Sequence, residues 1–461
     1  MIEGLTPYAE YKESGLPWLG RYPTHWITKR GKSYMTCIDQ RSKAGKEELL
    51  TVSSARGVVP RKSAKVTMFK AASYAGHKLC WPGDLVINSL WAWGGGLGVT
   101  QHHGIISTAY SVYRSRPSAH INPRFLHELV RSRPFNWELQ VRSKGVWISR
   151  LQLSDVSFLD APIPLPPPDE QAAIVRFLGH AIRKIDGFIR AKRKLIGLLN
   201  EQKQAIIHRA VTRGLNPTVP LMPSGIPWLG DIPAHWEARR VKQITRILRG
   251  KFSHRPRNDP AFYDGPYPFI QTGSVARADK FISEYKQTLN ENGLSVSKLF
   301  PSGTLVMTIA ANIGDVAILT FEACFPDSIV GFVPTVKLSR DYLYFVFRCM
   351  KDELLREAPV NTQGNLNVER IGSMSMPFPP LSEQVEIIKH IEKESSPFDV
   401  AITRTEREIA LMQEYRTRLT SDIVTGKLDV REAAARLPDP PADAEAPSDP
   451  LEEIESEEIE A

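Results

Sequence analysis

The sequence Ser14-Gly-Leu-Pro-Trp-Leu-Gly-Arg-Tyr-Pro-Thr-His-Trp26 occurs a second time as Ser224-Gly-Ile-Pro-Trp-Leu-Gly-Asp-Ile-Pro-Ala-His-Trp236, with nine identities in thirteen positions. A second motif, Pro166-Pro-Pro-Asp-Glu-Gln-Ala-Ala-Ile174, returns as Pro379-Pro-Leu-Ser-Glu-Gln-Val-Glu-Ile387. The first pair is offset by 210 residues and the second by 213. Two motifs in one order at one spacing indicate a tandem duplication, and its unit is far longer than a solenoid repeat.

The composition is that of an ordinary globular protein. The chain has 461 residues, of which 42% are hydrophobic and 24% charged, and this length predicts about three domains. No apolar run reaches the ~20 residues that a membrane span needs, and the first residues lack the pattern of a signal peptide. We therefore expect a cytoplasmic protein with no membrane partner. Four cysteines without metal or redox spacing suit a reducing compartment and predict no structural metal site: Cys37, Cys80, Cys324 and Cys349.

The charge is unevenly distributed along the chain. Residues 439–461 contain ten acids and no base, so the net charge of +8 becomes +18 when this segment is left out. That excess of positive charge favours a polyanionic partner, most simply nucleic acid. A basic surface without a ligand is the alternative. The acidic segment is compatible with either a solubility tail or a shield for the basic surface.

Two stretches between the repeated motifs share a plan but few residues. Residues 27–160 and 237–376 mix short β-branched or aromatic runs with turn residues, and Gly303–Met307 parallels Gly83–Ile87. Proline in the first turn and the spacing of apolar residues predict a helix over Pro123–Arg131. The sequence therefore predicts two α+β domains of one fold with diverged surfaces.

A heptad seam follows each Pro-Pro-x-x-Glu-Gln motif. The apolar residues recur at alternating steps of four and three over almost five heptads, the pattern of helix-on-helix packing in a coiled coil. Each seam needs a partner, and the helix of the other copy is the obvious one. The predicted seam residues are Ile174, Leu178, Ile185, Phe188, Leu195 and Leu199 in the first helix and Ile391, Phe398, Ile402, Ile409, Met412 and Leu419 in the second.

The ends of both helices carry start and stop signals. Asp169 and Ser382 are the predicted N-caps, and Gly214 and Gly426 the predicted ends. Pro397 lies within the second helix, so a kink there, or a restart of the helix with Ser396 as N-cap, is predicted.

Together these features resemble the specificity subunit of a type I restriction-modification enzyme, over residues 14–428. The resemblance implies an α+β fold with two similar α/β target recognition domains, separated by two long antiparallel coiled-coil helices in a pseudo-twofold internal repeat. Pro397 and the acidic tail depart from the plainest version of the family pattern. The predicted boundaries are 1–160 for the first target recognition domain, 161–214 for the central helix, 215–376 for the second target recognition domain, 377–428 for the distal helix and 429–461 for an acidic disordered tail.

The resemblance also implies a division of labour. In that family each recognition domain reads one half of a bipartite double-stranded DNA sequence, while the helices set the spacing and dock two modification subunits. Methyl transfer and cleavage then belong to the modification and restriction subunits, where S-adenosylmethionine, ATP and Mg²⁺ are expected. No cofactor, metal or catalytic residue is expected in this chain, which is predicted not to be an enzyme.

Residues that are identical in both copies are unsuited to recognising two different half-sites. The repeated tryptophans and histidines are therefore predicted to be structural. Base readers are expected where the copies diverge, with Arg and Lys suited to guanine and Asn and Gln to adenine. The candidates are Arg56, Arg61, Lys62, Lys65, Trp91, Trp93, Arg142, Lys144 and Trp147 in the first domain, and Lys251, His254, Arg255, Arg257, Asn258, Gln271, Thr272, Asn312, Gln363, Asn365 and Asn367 in the second.

Two other interpretations remain open at the level of sequence. A self-contained nuclease or methyltransferase with a duplicated DNA-reading region would need a catalytic domain, and beyond the two repeats this sequence has only the acidic tail. A coiled-coil adaptor without DNA function would show no salt-dependent binding to duplex DNA, whereas phosphate-driven binding weakens steeply with salt.

Overall fold

The computed structural model describes residues 5–64, 73–145, 151–254, 257–310, 312–357 and 366–438. The chain divides into two compact units. The first unit comprises residues 1–192 and 407–461, and the second comprises residues 193–406. Each unit contains one copy of the repeated domain and a portion of each of two long helices.

The first copy contains short strands, four short helices and the first long helix. Its strands are β1 Tyr11–Glu13, β2 Arg21–Pro23, β3 Ile27–Arg30, β4 Met35–Ile38, β5 Leu50–Ser53, β6 Gly57–Pro60, β7 Lys78–Cys80, β8 Leu85–Asn88, β9 Leu97–Val99, β10 Gly104–Ile106, β11 Tyr110–Ser115 and β12 Pro162–Leu165. Its helices are α1 Gly31–Tyr34, α2 Pro123–Arg131, α3 Arg133–Arg142, α4 Asp155–Leu159 and the long α5 Pro168–Arg213.

The second copy follows the same plan. Its strands are β13 Leu221–Pro223, β14 Asp231–Pro233, β15 Glu237–Arg240, β16 Thr245–Arg249, β17 Tyr263–Phe269, β18 Phe281–Ile282, β19 Gln287–Leu289, β20 Leu299–Phe300, β21 Leu305–Thr308, β22 Val316–Leu319, β23 Ala323–Cys324, β24 Ile329–Pro334 and β25 Ser375–Phe378. Its helices are α6 Val241–Ile244, α7 Thr272–Arg277, α8 Glu291–Ser295, α9 Arg340–Cys349, α10 Lys351–Glu357, α11 Val368–Ser373 and the long α12 Leu381–Val424, after which α13 Arg431–Ala435 follows in the first unit.

The sheets show that the two domains share one topology. The first has a four-stranded sheet in the order β4-β11-β8-β9, and the second repeats that order as β16-β24-β21-β22 with β18 added at the edge. A second sheet, β19-β17-β23-β20, has no four-stranded counterpart among the described residues of the first domain. The α+β prediction is therefore confirmed, as is the helix over Pro123–Arg131, whose N-cap is the side chain of Asn122.

The two long helices pack against each other within each unit. In the first unit Asp186 pairs with Arg416 at 3.1 Å and Lys192 with Glu408 at 2.7 Å. One residue number rises as the other falls, so the helices are antiparallel there, as predicted. In the second unit Lys203 of α5 pairs with Asp399 of α12 at 2.5 Å.

The predicted seam is buried at the outer ends of the helices and only partly in the middle. Ile174, Leu178, Ile185, Ile391 and Leu419 are buried, whereas Leu199, Phe398, Ile402, Ile409 and Met412 are half-buried. The expected burial of Phe188 and Leu195 is wrong, because each is 39% exposed. Ile189 is buried in place of Phe188. An α-helix has 3.6 residues per turn, so positions spaced by a strict heptad rotate about 20° around the helix with each heptad. After a few heptads a neighbouring position faces the partner helix instead.

Three predictions at the helix ends and interruptions need correction. Helix α12 runs through Pro397 without a restart at Ser396, and packing along its 44 residues offsets the lost hydrogen bond. The predicted N-caps Asp169 and Ser382 lie in the first turn rather than before it.

The acidic tail does not begin at residue 429. Residues 429–438 are folded, and α13 contributes Ala433 and Ala434 to the core of the first unit together with Val430. The ten acids begin after this segment, in residues 439–461, which lie outside the described part of the chain.

Candidate nucleic-acid interface

The two repeated motifs of the first copy meet at one carboxylate. Glu170, at the start of α5, accepts hydrogen bonds from the Trp26 indole N–H at 2.8 Å and the Tyr8 hydroxyl at 2.6 Å. His25 Nε2 lies 2.7 Å from its other oxygen. The Glu170 side chain is only 2% exposed, so these partners replace the water that the carboxylate loses on burial. The contact fixes the domain to the start of the long helix.

The second copy repeats the contact with fewer partners. Glu383, at the start of α12, accepts from the Trp236 indole N–H at 2.8 Å and lies 2.7 Å from His235 Nε2. Its side chain is 34% exposed. Trp26 and Trp236 are both fully buried, which confirms that these repeated tryptophans are structural, and His25 and His235 contact the same glutamates.

The glutamine beside each glutamate binds only backbone groups. The Gln171 side chain donates to the carbonyls of His120 and Pro166 at 3.2 and 2.9 Å and accepts from the Asn122 N–H at 2.7 Å. A contact to the backbone does not depend on which side chains the domain carries. The sequence of the domain can therefore diverge while this attachment is kept. Gln384 makes the equivalent contacts with the carbonyls of Lys337 and Pro379 and the N–H of Ser339.

The end of each long helix packs on the same tryptophans. A Cβ atom at Gly214, which has φ of +70°, would lie 3.0 Å from the Trp236 ring, and one at Gly426 would lie 3.3 Å from the Trp26 ring. Glycine allows both the left-handed turn and the close approach. Each repeated tryptophan therefore lies between the start of one long helix and the end of the other.

In the first domain, Arg131 joins two loops that carry predicted base readers. From α2 its guanidinium donates to the carbonyls of Ser54 and Ala55 at 2.6 and 2.7 Å and to that of Leu97 at 2.7 Å. The first two carbonyls belong to the β5-β6 turn that contains Arg56, and the third follows the glycine-rich loop 90–96. This single side chain therefore fixes the two loops against each other.

His127, one turn earlier on α2, supports the same arrangement. Burial and the nearby charge of Arg131 lower the pKa of His127 to about 4, so its ring is neutral at physiological pH. The neutral Nδ1 accepts the Val99 N–H at 3.2 Å. The base of the glycine-rich loop is thus held by an uncharged ring next to the Arg131 clamp.

A third loop lies beside these two. Lys144 and Gln152 form an antiparallel bridge, and the Leu153 N–H donates to the Ser89 carbonyl at 2.9 Å, just before the glycine-rich loop. The structure therefore brings Arg56, Trp91, Trp93 and Lys144 onto three adjoining loops, which we call the first loop cluster.

The tryptophans of this cluster explain its glycines. The Trp91 and Trp93 rings lie 4.8 Å apart, and a Cβ atom at Gly94 or Gly96 would lie 2.6 or 2.9 Å from the Trp91 side chain. The glycines thus make room for the Trp91 side chain.

The other candidates of the first domain lie near the cluster or outside the described residues. Arg61 and Lys62 follow β6 in a short 3₁₀ helix, and Lys62 pairs with Glu48 at 2.7 Å. Arg142 pairs with Glu138 at 2.6 Å. Lys65 and Trp147 lie outside the described residues. All remain predictions as base readers.

In the second domain the candidates fall into separate groups. The Lys251 N–H donates to the Phe325 carbonyl and Arg257 pairs with Asp327, so Lys251 and Arg257 both lie against residues 325–327. Nearby, the His254 ring stacks on Phe262 at 4.0 Å, and Asn258 is exposed.

The remaining groups of the second domain are smaller. The Leu366 N–H donates to the Ile309 carbonyl, which brings the segments of Asn312 and Asn367 together. The Asn367 side chain accepts from the Glu369 N–H and caps α11, a structural role. Gln271 donates to Gln287 at 2.7 Å and Thr272 begins α7. Arg255, Gln363 and Asn365 lie outside the described residues.

Sequence reasoning missed Arg131 and Trp137. Trp137 on α3 is 47% exposed, and its neighbour Asn136 contacts the carbonyls of Ala92 and Trp93 in the glycine-rich loop once its amide is oriented to donate. An exposed aromatic next to a basic loop cluster suits stacking on a base. No pattern in the sequence distinguishes it from a core residue of α3.

No metal-binding group of histidine, cysteine or acidic side chains is found in the described ranges. Among the helices of the same ranges, none is long and apolar enough to cross a membrane.

Comparison with known proteins agrees with this architecture. Residues 233–409 match the family described as the type I restriction modification DNA specificity domain. The chain is 22% identical over 273 residues to the putative type I restriction enzyme MjaX specificity subunit of Methanocaldococcus jannaschii, covering 58% of this chain and 60% of that protein. It is 21% identical over 310 residues to the MjaVIII specificity subunit of the same organism, covering 64% and 68%.

A solved structure extends the similarity to nearly the whole fold. A chain described under "complex assembly and conformational transition of the type I R-M system" superposes with a TM-score of 0.62 at 16% identity, covering 88% of this chain and 99% of that one. The fold is thus shared with that chain, and it consists of two related α+β domains and two long helices. The chain is therefore similar to type I restriction enzyme specificity subunits, and its residues 233–409 match the DNA specificity domain of type I restriction modification systems.

Proposed function

We propose that this chain is the DNA-reading subunit of a type I restriction-modification complex, with each domain reading one half of a split sequence. The observation that carries the proposal is the contrast between the two copies. Their attachments at Glu170 and Glu383 share the contacts with a tryptophan and a histidine, whereas their loops differ in sequence and in contacts. One scaffold that presents two different loop surfaces fits an asymmetric two-part DNA target.

The same proposal assigns the chemistry to other chains. Two modification subunits, which use S-adenosylmethionine, and restriction subunits, which use ATP and Mg²⁺, would assemble on this chain in the cytoplasm. This chain is then a non-catalytic part of the complex. Its relatives carry the name specificity subunit, which supports this division.

Binding to duplex DNA at increasing salt tests the proposal. The chain is co-expressed with the neighbouring candidate modification subunit, and the affinity of the complex is measured between about 50 and 200 mM salt. A basic reader is expected to lose affinity steeply over that range, by about 10³-fold if about six phosphates are contacted. Affinity that does not depend on salt would favour the coiled-coil adaptor.

The Arg131 clamp gives a prediction confined to one half-site. Replacement by alanine removes the donor that joins the two loops, and we expect at least about tenfold loss of discrimination in the first half-site. Discrimination in the second half-site stays unchanged. Duplexes substituted in either half report the two effects separately.

The control for Arg131→Ala is Arg124→Ala, because Arg124 is exposed on the same helix. We expect that variant to keep both half-site preferences. Equal loss of preference at both halves in the Arg131 variant would contradict the positioning role.

Helix α5 gives a prediction about spacing. Four residues inserted near Ile196, with four matching residues near Arg404 of α12, keep the ion pairs on both sides in register. The added rise of about 6 Å is expected to lengthen the preferred spacer by about two base pairs, with both half-sites unchanged. Methylation mapping measures the spacer, and an unchanged spacer would show that the helices do not set it.

A further inference from the structure

One face of α5 in the first unit is basic. It lies opposite the buried Ile174, Leu178 and Ile185 and carries Arg183 and Arg190, with Lys184 beside them, given about 100° of rotation per residue. Among the described residues, these three cations form no ion pair. Gly179 precedes them and Gly187 lies between them, and the guanidinium groups of Arg183 and Arg190 lie close to these two glycines.

The pKa of His180, on the same helix, is affected by this positive charge. Partial burial and the charges of Lys184 and Arg183 lower the pKa of His180. The charges of Lys184 and Arg183 thus act against a further cation at this position, and the same charges favour an anion.

The chain leaves the folded part of the first unit at this face. Val430, Ala433 and Ala434 anchor the C-terminal segment in the core, and Arg431 lies over the Tyr8 ring at 5.5 Å. At the end of the segment the Leu437 carbonyl accepts a hydrogen bond from Arg176 of α5. Arg176 lies on the same side of the helix as Arg183 and Arg190, two and four turns further along.

The remaining sequence complements the face in charge and length. Residues 439–461 contain ten acids and no base. The distance from Arg176 to Arg190 along the helix is about 21 Å at ~1.5 Å per residue. An extended segment of 23 residues reaches roughly 75 Å, so the acids can follow the whole basic face.

We propose that the acidic segment 439–461 docks on the basic face of α5 formed by Arg176, Arg183, Lys184 and Arg190, and shields it from other polyanions. The docking is intramolecular, and tethering gives the segment a high effective concentration at the face. The contacts are between exposed charges, so each is weak and salt weakens them together. This inference concerns the chain alone and does not rest on the proposed DNA reading.

Zero-length carbodiimide cross-linking of the full chain tests the contact directly, because it joins a lysine amine to a carboxylate in contact with it. At low salt we expect Lys184 to couple to acids of 439–461 about tenfold more than Lys29, an exposed lysine of the same unit. The excess is expected to disappear at high salt and in the R183Q/R190Q variant. Equal coupling of Lys184 and Lys29 at low salt would overturn the proposal.

A second measurement separates docking from general repulsion. Removal of 439–461 is expected to raise the affinity for a random duplex of about 30 base pairs roughly tenfold at low salt. In the chain that also carries R183Q/K184Q/R190Q, most of that gain is expected to vanish. The same gain in both backgrounds would show that the segment acts by its net charge and not at this face.

Discussion

Exchanging residues 27–160 for the corresponding domain of another specificity subunit is expected to change one half of the recognised DNA sequence completely and to leave the other half unchanged. The exchanged part lies between Trp26 and Glu170, so the carboxylate contact that fixes the domain to α5 stays in the recipient chain. Gln171 holds the domain through the backbone at His120 and Asn122, and a foreign domain of the same fold offers equivalent groups. The loop clusters, which differ, carry the change.

Methylation mapping of cells that express the exchanged chain measures this result. The matched control exchanges residues 237–376 and is expected to change the other half alone. A change of both halves in either exchange would contradict reading by separate domains, and loss of all methylation would call for a test of assembly before it is interpreted.

Replacing Glu170 with alanine is expected to loosen the first domain from α5 by about 3 kcal/mol. The substitution leaves the Trp26 indole N–H and the Tyr8 hydroxyl buried without their acceptor, and each orphaned donor costs about 1–3 kcal/mol. Hydrogen exchange of peptides that cover residues 21–34 and 166–178 measures the local loss, because a chain with two units does not unfold as one.

The second copy provides the matched control. Glu383 has one indole donor and one histidine, and its side chain is 34% exposed against 2% for Glu170. Water can replace part of the lost contact, so Glu383→Ala is expected to cost about 1 kcal/mol. An equal loss of hydrogen-exchange protection in the two copies would contradict the claim that burial of the carboxylate determines the free-energy cost of its removal.

The repeated motifs were sufficient to predict the architecture. Both motifs are short. One contains a His-Trp pair and the other a Glu-Gln pair, and the histidine and tryptophan contact the glutamate. The sequence predicted that both motifs are structural, yet it did not predict that they meet, because the contact joins residues about 145 positions apart.

The details that sequence missed depend on tertiary packing. Arg131 binds carbonyls of loops that lie 34 to 77 residues away, and carbonyls leave no pattern in the residue types. Phe188 was assigned to the seam by a strict heptad, and a straight helix buries Ile189 there. Pro397 predicted a kink or a restart of the helix at Ser396, and the restart does not occur. Helix propensity describes an isolated helix, whereas α12 is also stabilised by tertiary packing.

Mapping of methylated adenines across the genome, with the neighbouring candidate modification subunit expressed with and without this chain, tests the central claim most directly. The account predicts a split motif of two specific half-sites around a fixed spacer, present only when this chain is expressed. A stable complex that methylates without a split motif, or that methylates the same motif in the absence of this chain, would contradict it.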